Sequence, residues 1–542
     1  MNQSDILAVN ELKILSLDII DKAGSGNPGI CMDMSAVMYT LFAKVLNVYP
    51  KNPTFFNRDR VILSSAHISP LYYAMLYMAG YPLNKEDLMN FRRLNSSTPG
   101  MPELNNPAGV DASTGVAGGG VGVAVGCALA RRYLNSLIQK EDEKLNLLNF
   151  TTFCFVSDAD MMSGASEEAF SFAGVQNIEN LIFLYDANQM TAEGSLEQVF
   201  HEDLVKKFQN KGFYVDSLKD SENVKEIAKA IEAAKRSKKP ALILFKNIIG
   251  KGSFNEGKNI VHSGVLSFDD ISSLKRKYNI FLPPFEISKD SILHIGTQIQ
   301  ERTGKIEKKF NEMFSRAQNI NSPFLNGIIQ LLSNGNFVSN FDSANYKIND
   351  GYREPLIESN YKIMNLIAPR TNFFIGGSAG LSLSCQTLLG GAVYMDQKNP
   401  TAKNIRFGIR EEAMSYILNG MSLLGLRVFG STKLCFADEL KSGMRLSALM
   451  NMPVTYIFTH DSIYNSEEGP VRIPVEQLAM MRSIPNFVVY RPADIMELMG
   501  TWEAILQNCK PCALVISTNS IPKLPGSNAK EVKKGAYIIK PE

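Results

Sequence analysis

The chain has 542 residues, 45% of them hydrophobic and 20% charged, so it is too long for one core and suits two or three domains. Its formal net charge of only +2 excludes a strongly basic surface built to read nucleic acid. The most apolar stretch, "GVAGGGVGVAVGCALA", is glycine-heavy and too short to cross a bilayer. The amino terminus also lacks the basic start and apolar core of a signal peptide, so a cytoplasmic protein with neither nucleic-acid nor membrane partners is expected.

Along the chain, short β-branched or aromatic runs end in small and polar residues and are followed by helix-like segments. In the first half these runs are "FTTFCFVSDAD", "NLIFLYDAN" and "PALILFKNI". "NVKEIAKAIEAAKRSKK" lies between the last two, and its stripe of Ile227, Ile231 and Ala234 predicts an amphipathic helix. Residues from about 288 to 350 carry long polar helical patches and few strand signals, and read as a crossover. In the second half follow "NFFIGGSAG", "LRVFGST", "PVTYIFTHD", "NFVVYRPAD" and "CALVIST". Runs that are apolar throughout are strands buried on both faces, as in parallel sheets covered by helices, so the fold class is α/β. Ligands of such sheets gather at the carboxyl ends of the strands, which places Asp158, Asp186, Ser378 and Asp461 where chemistry is expected. Among the seven cysteines, "CKPC" at 509–512 precedes an apolar run and is read as structural.

Seven motifs in order, "AGSGNPGICMDMSAVMYTLF", "RDRVILSSAHISPLYYAM", "FRRLNSSTPGMPE", "STGVAGGGVGVAVGCALA", "FGIREEAMSYILNGMSLLG", "THDSIYNSEEGPVRIPVEQ" and "RPADIMELMGTW", resemble transketolase. The resemblance implies two doubly wound parallel-sheet domains: a diphosphate-binding domain over 1–290 and, after a linker at 291–345, a pyrimidine-binding domain over 346–525. A stub at 526–542 follows, where the family's third, carboxyl-terminal domain would begin. Thiamine diphosphate with Mg²⁺ or Ca²⁺ is the implied cofactor, and a homodimer is the implied assembly.

Residue by residue, the resemblance places the cation on Asp158, Asn188 and the carbonyl of Met190, all oxygen donors suited to a hard divalent ion. The family's GDG is "SDA" here, with Ser157 and Ala159 in place of glycines, and Asp158 reads equally well as the cap of the following helix. Gly115, Gly118 and Gly120 resemble the glycines that touch the diphosphate. Glu411 matches the carboxylate that contacts the aminopyrimidine, although a surface pair with Glu412 also accounts for it. Of the ring-lining aromatics Phe436 stays, whereas Lys433 and Glu439 replace two others; pairing of these two across an emptied pocket is expected. His67, His460 and His262 match catalytic histidines, but Asn27, Met101, Asn259 and Arg472 stand where others are expected. Methionine cannot carry a proton, nor can asparagine near neutral pH. Each lost general acid or base removes about 10² to 10⁴ in rate.

Arg353, Ser384 and Asp461 match residues that hold the sugar phosphate and read a hydroxyl, with Arg353 open to reading as a surface or interface ion pair. Thr518 and Gly380 replace an arginine and an aspartate, and in an acidic cluster between the family's two sites Glu168 stays while Ser163 is substituted. Departures concentrate at ligand positions while the apolar runs look intact, so the reading favours a degenerate pseudoenzyme serving as a dimeric structural, assembly or regulatory subunit with an unknown protein partner. The alternative is an active transketolase passing a two-carbon ketol unit from a ketose phosphate to an aldose phosphate. A divergent sugar-phosphate binder, or an enzyme completed by a separate chain carrying the third domain, is a further alternative.

Overall fold

A computed structural model describes residues 2–334, 341–370 and 373–540. Residues 335–340 of the expected linker, and Asn372 at the start of "NFFIGGSAG", lie outside the described residues. The chain divides into two compact units, one of residues 1–131 and 142–320, the other of 132–141 and 321–542.

The first unit opens with α1 (Gln3–Ala23), capped at its start by the Asn2 side chain and ended by Gly24 at φ +68°, a left-handed turn that glycine takes without strain. Its five parallel strands are β1 (Arg60–Leu63), β2 (Thr152–Ser157), β3 (Leu181–Ala187), β4 (Tyr214–Leu218) and β5 (Ala241–Lys246), in spatial order β1-β2-β3-β5-β4. Between β1 and β2 runs α2 (Gly119–Glu141). Between β4 and β5 runs α3 (Val224–Arg236), which buries Ile227, Ile231 and Ala234 as the periodicity predicted. The long α4 (Lys289–Gln318) lays Ile295 and Ile299 into the same core as Leu12, Leu15 and Ile19 of α1.

The second unit carries six parallel strands: β6 (Phe374–Ser378), β7 (Asn404–Arg406), β8 (Arg427–Lys433), β9 (Val454–Thr459), β10 (Val488–Tyr490) and β11 (Cys512–Ile516), in spatial order β7-β6-β8-β9-β11-β10. Its helices include α5 (Glu411–Ser422) before β8 and α6 (Ile495–Asn508) before β11. The core is anchored by Trp502, fully buried, whose indole N–H donates to Asn360 Oδ1 at 2.8 Å. Cys512 opens β11 fully buried and Cys509 caps α6, so both cysteines of the CxxC serve the fold.

Every run read as a strand forms one, and both sheets are parallel, so the α/β class holds. Asp158 follows β2, Asp186 lies at the end of β3, Ser378 ends β6 and Asp461 follows β9. Parallel register sets these ends side by side: Ser157 is level with Asp186, and Lys433 with Thr459. No helix among the described residues is long and apolar enough to cross a membrane.

Candidate functional site

At the carboxyl end of the first sheet lies a cavity of about 210 Å³ lined by Ser157, Asp158, Ala159, Asn188 and Met190 on one side and by Asn27, His67 and His262 on others. The structure therefore gathers the three expected cation donors and two of the three retained histidines in one place. Asp158 is 4% exposed and accepts a hydrogen bond from the Tyr185 hydroxyl. Burial pushes its carboxyl up to about 6, against the pull of Tyr185 and the backbone N–H groups of Met190 and Gln189.

The reading of Asp158 as a helix cap is corrected. Ser157 is the N-cap of the five-residue helix Asp158–Met162, with its N–H donating to Asp160 Oδ2 at 3.0 Å, and Asp158 is the first helical residue. Ser157 sits at φ −130°, ψ −179°, extended backbone that any residue adopts, so the serine here replaces a glycine without backbone strain. Asp160 was not singled out from the sequence, yet it joins three segments. It accepts from Ser64 Oγ at 2.5 Å, from the N–H of Gly118 at 3.2 Å and from Ser157.

Gly115, Gly118 and Gly120 are not among the residues lining this cavity. A Cβ on Gly118, at φ +81°, would fall 2.8 Å from the backbone nitrogen of Ser166, and one on Gly120 would fall 2.4 Å from Ser64 Cα. Internal packing alone demands both glycines. Gly115, at φ +143°, faces Met101, whose Cγ a Cβ would meet at 3.3 Å.

Beneath the cavity lies a layer of buried carboxylates and amides. Asn188 Nδ2 donates to Asp186 Oδ2 at 2.8 Å and lies 3.5 Å from Asp33 Oδ2, while its Oδ1 accepts the N–H of Met190 at 3.1 Å. Asn247 Nδ2 donates to Asp186 Oδ1 at 2.6 Å, and Gly250 N–H to Asp33 Oδ1 at 3.0 Å. Burial raises both acids, Asp186 to about 7 and Asp33 well above the carboxylate range, each further raised by a neighbouring carboxylate. Sequence reading placed Asp186 at a strand end without a task, and missed Asp33 and Asn247; the only signal was the polar tripeptide after an apolar run.

The cation donors fit. No group of three His, Cys, Asp or Glu among the described residues could hold a metal alone. The set here is instead one carboxylate, one amide oxygen and one backbone carbonyl, and such hard oxygen donors leave places for diphosphate oxygens and water around Mg²⁺ or Ca²⁺. His262 Nδ1 is buried without a hydrogen-bond partner, and Asn27 Nδ2 donates to the His262 carbonyl at 2.8 Å. Burial lowers the pKa of His67 and of His262, and each imidazole is thereby favoured in its neutral form.

The ring seat in the second unit does not fit. Glu411 begins α5, and burial, then the nearby Glu439 carboxylate, raises its pKa. The expected pairing of Lys433 with Glu439 is corrected: Lys433 Nζ pairs with Glu468 at 2.8 Å, because β8 ends beside the Thr459 end of β9 and the segment after it carries Glu468. Glu439 is exposed and instead adds like charge near Glu411. Arg472 lies 3.7 Å from Glu468 and sets its guanidinium carbon 4.9 Å from the centroid of Phe436. The retained aromatic is thus faced by the chain's own cation.

The remaining expected residues are placed without forming one site. His460 sits at φ +59° with Nδ1 2.9 Å from Thr459 Oγ1, and burial lowers its pKa. Asp461 is 8% exposed and is gripped at Oδ2 by Arg491 at 2.9 and 3.1 Å. Arg353 lies in a short strand paired with Ser520–Pro522 and has its side chain exposed, and Ser384 is exposed in a turn.

Known proteins resemble the chain over nearly its whole length. The family model of the transketolase thiamine diphosphate binding domain matches residues 4–336, and that of the transketolase pyrimidine binding domain matches 358–523. The transketolase of Halalkalibacterium halodurans is 38% identical over 542 residues, covering 99% of this chain and 81% of the relative. That of Bacillus subtilis is 38% identical over 540 residues, covering 98% and 80%. Among solved structures, transketolase from Leishmania mexicana superposes with a TM-score of 0.95 at 31% identity, covering 99% of this chain and 80% of that one. Transketolase from Campylobacter jejuni does so with 0.89 at 34% identity, covering 100% and 83%.

Proposed function

Because the chain belongs to the transketolase family, whose cofactors are thiamine diphosphate and a divalent cation, we propose that it is a member that keeps the cation and diphosphate half of the site and has filled the ring half with its own side chains. On this reading it performs little or no ketol transfer and serves as a dimeric structural, assembly or regulatory subunit in the cytoplasm, with its two main domains at 1–290 and 346–525. The observation that carries the reading is the Arg472 guanidinium over Phe436, tied through Glu468 to Lys433. Thiamine diphosphate, when bound, supplies the nucleophilic carbon for two-carbon transfer. In this chain Glu411 would be the carboxylate for its pyrimidine, and Phe436 is the only retained ring of the three expected. The missing proton carriers at Asn27, Met101 and Arg472 point the same way, since neither an amide, a thioether nor a permanently charged guanidinium exchanges protons near neutral pH.

A second reading, active ketol transfer between sugar phosphates, is favoured by the cavity that joins Asp158, Asn188 and Met190 to His67 and His262. Calorimetric titration with thiamine diphosphate and Mg²⁺, followed by a ketol-transfer assay on xylulose 5-phosphate, decides between the two. Micromolar binding with turnover establishes the second reading; tight binding of Mg²⁺-diphosphate with weak or absent cofactor binding and no turnover establishes the first. Light scattering at micromolar concentration tests the homodimer, which a monomeric mass would refute.

A further inference from the structure

Asn188 can offer an oxygen to a cation only if its amide is turned the right way, and an amide is nearly symmetric in shape. The choice must therefore be made by its hydrogen bonds. Here the Nδ2 end donates to Asp186 Oδ2 at 2.8 Å and lies 3.5 Å from Asp33 Oδ2. The Oδ1 end faces the backbone N–H of Met190 at 3.1 Å, on the side of the cavity that Asn188, Asp158 and Met190 line together. Flipping the amide would set its nitrogen against the Met190 N–H, donor against donor, and would lose its donation to Asp186 Oδ2.

Asp186 is itself fixed. Its Oδ1 accepts from Asn247 at 2.6 Å, Asn247 Oδ1 accepts from the Ser221 hydroxyl, and its backbone sits in β3 between β2 and β5, level with Ser157 and Phe245. At 1% exposure it does not line the cavity and is separated from it by Asn188. We infer that Asp186 is a positioning residue: together with Asn247 it locks the Asn188 amide so that Oδ1 faces the cation place beside Asp158. This deepens the proposed function, resting on its claim that the first unit keeps a cation site, but is independent of whether the ring half is filled.

The test is Mn²⁺ binding to the full chain, followed by the paramagnetic resonance of free Mn²⁺ without substrate or thiamine cofactor. Asp158→Asn serves as the variant that removes a ligand. Asp186→Asn, isosteric with the wild type, puts an amide where the acceptor was, and is expected to weaken Mn²⁺ about 10- to 100-fold, as loss of an outer partner of a ligand does. Asn247→Ala, at a partly exposed position, is expected to weaken it less and in the same direction. The discriminating variant is Asp186→Asn combined with Asn188→Asp, which exchanges donor and acceptor across the same bond and is expected to recover most of the lost affinity, an outcome that a general loss of packing does not give. If the wild type binds no Mn²⁺ at millimolar concentration, the retained cation site itself is wrong. If the wild type binds and Asp158→Asn does not, while Asp186→Asn and Asn247→Ala bind normally, the positioning role is overturned and the site stands.

Discussion

Arg472→Ala combined with Lys433→Phe is expected to tighten thiamine diphosphate binding, by an amount the structure sets. The Arg472 side chain is 42% exposed with its guanidinium carbon 4.9 Å from the Phe436 centroid. At such exposure the cation–π contact is worth about 0.5–1 kcal/mol, which a ring settling on Phe436 would have to give up. A phenyl group at 433 in place of the ammonium adds an aromatic contact of about 0.5–1.5 kcal/mol. Together the changes amount to about 1–2.5 kcal/mol, or about 5- to 70-fold in Kd. Calorimetric titration with excess Mg²⁺ measures it, with inorganic diphosphate as the control ligand, since it has no ring to place on Phe436. An affinity equal to that of the wild type, or an equal gain for diphosphate, would refute the claim that the second unit's own cations occupy the ring's place.

Ser157→Gly, which restores the family residue, is expected to cost only a few tenths of a kcal/mol in a urea melt, since glycine is a tolerated N-cap. Gly118→Ala is expected to cost about 2–5 kcal/mol without any ligand, from the left-handed φ of +81° and from a Cβ at 2.8 Å from the Ser166 nitrogen; an unchanged melt would mean that the loop relaxes freely. Burial lowers Lys403 to about 8 from the ordinary 10.5, so between these values the native chain binds fewer protons than the unfolded one, and the penalty is largest below pH 8 and fades as pH approaches 10.5. Lys403→Met is therefore expected to stabilise by about 1–3 kcal/mol at pH 7 and by little near pH 10.5; a gain independent of pH would show that burial of the charge is not its cause.

What was legible in the sequence follows burial on both faces. The runs at β2, β3, β5, β6, β8, β9 and β11 stand out because a central parallel strand has no solvent side to mark with polar residues, and β10, at an edge, stands out by its β-branched and aromatic Val488, Val489 and Tyr490. The other edge strands were not singled out, for the complementary reasons. β4 mixes Asp216 and Ser217 into its five residues, and β1 and β7 are four and three residues long, too short to show any period. Of the site, the residues that end central strands were found. Asp33 and Asn247, which join Asp186 beneath them, were not, because they come from segments far apart in the chain and only the fold brings them together.

The substitutions themselves are where sequence alone misleads most. Read as departures from a family pattern, Ser157, Asn27 and Lys433 are losses, but each has internal work in the structure: Ser157 caps a helix, Asn27 holds the His262 carbonyl, and Lys433 ties Glu468. Met101 lies against Gly115 in the same way, and Arg472 covers Phe436. A site that had only decayed would leave polar groups stranded at its walls, each costing about 1–3 kcal/mol in desolvation. Such orphans exist, and two of them, His262 Nδ1 and Asp461 Oδ1, belong to residues that match the family. Retained residues have internal partners too, since Tyr185 donates to Asp158 and Arg491 grips Asp461. What distinguishes the ring half is that a replacement there, Arg472, lies over a retained group, Phe436, whereas Ser157 and Asn27 line the cation cavity beside Asp158 and His262.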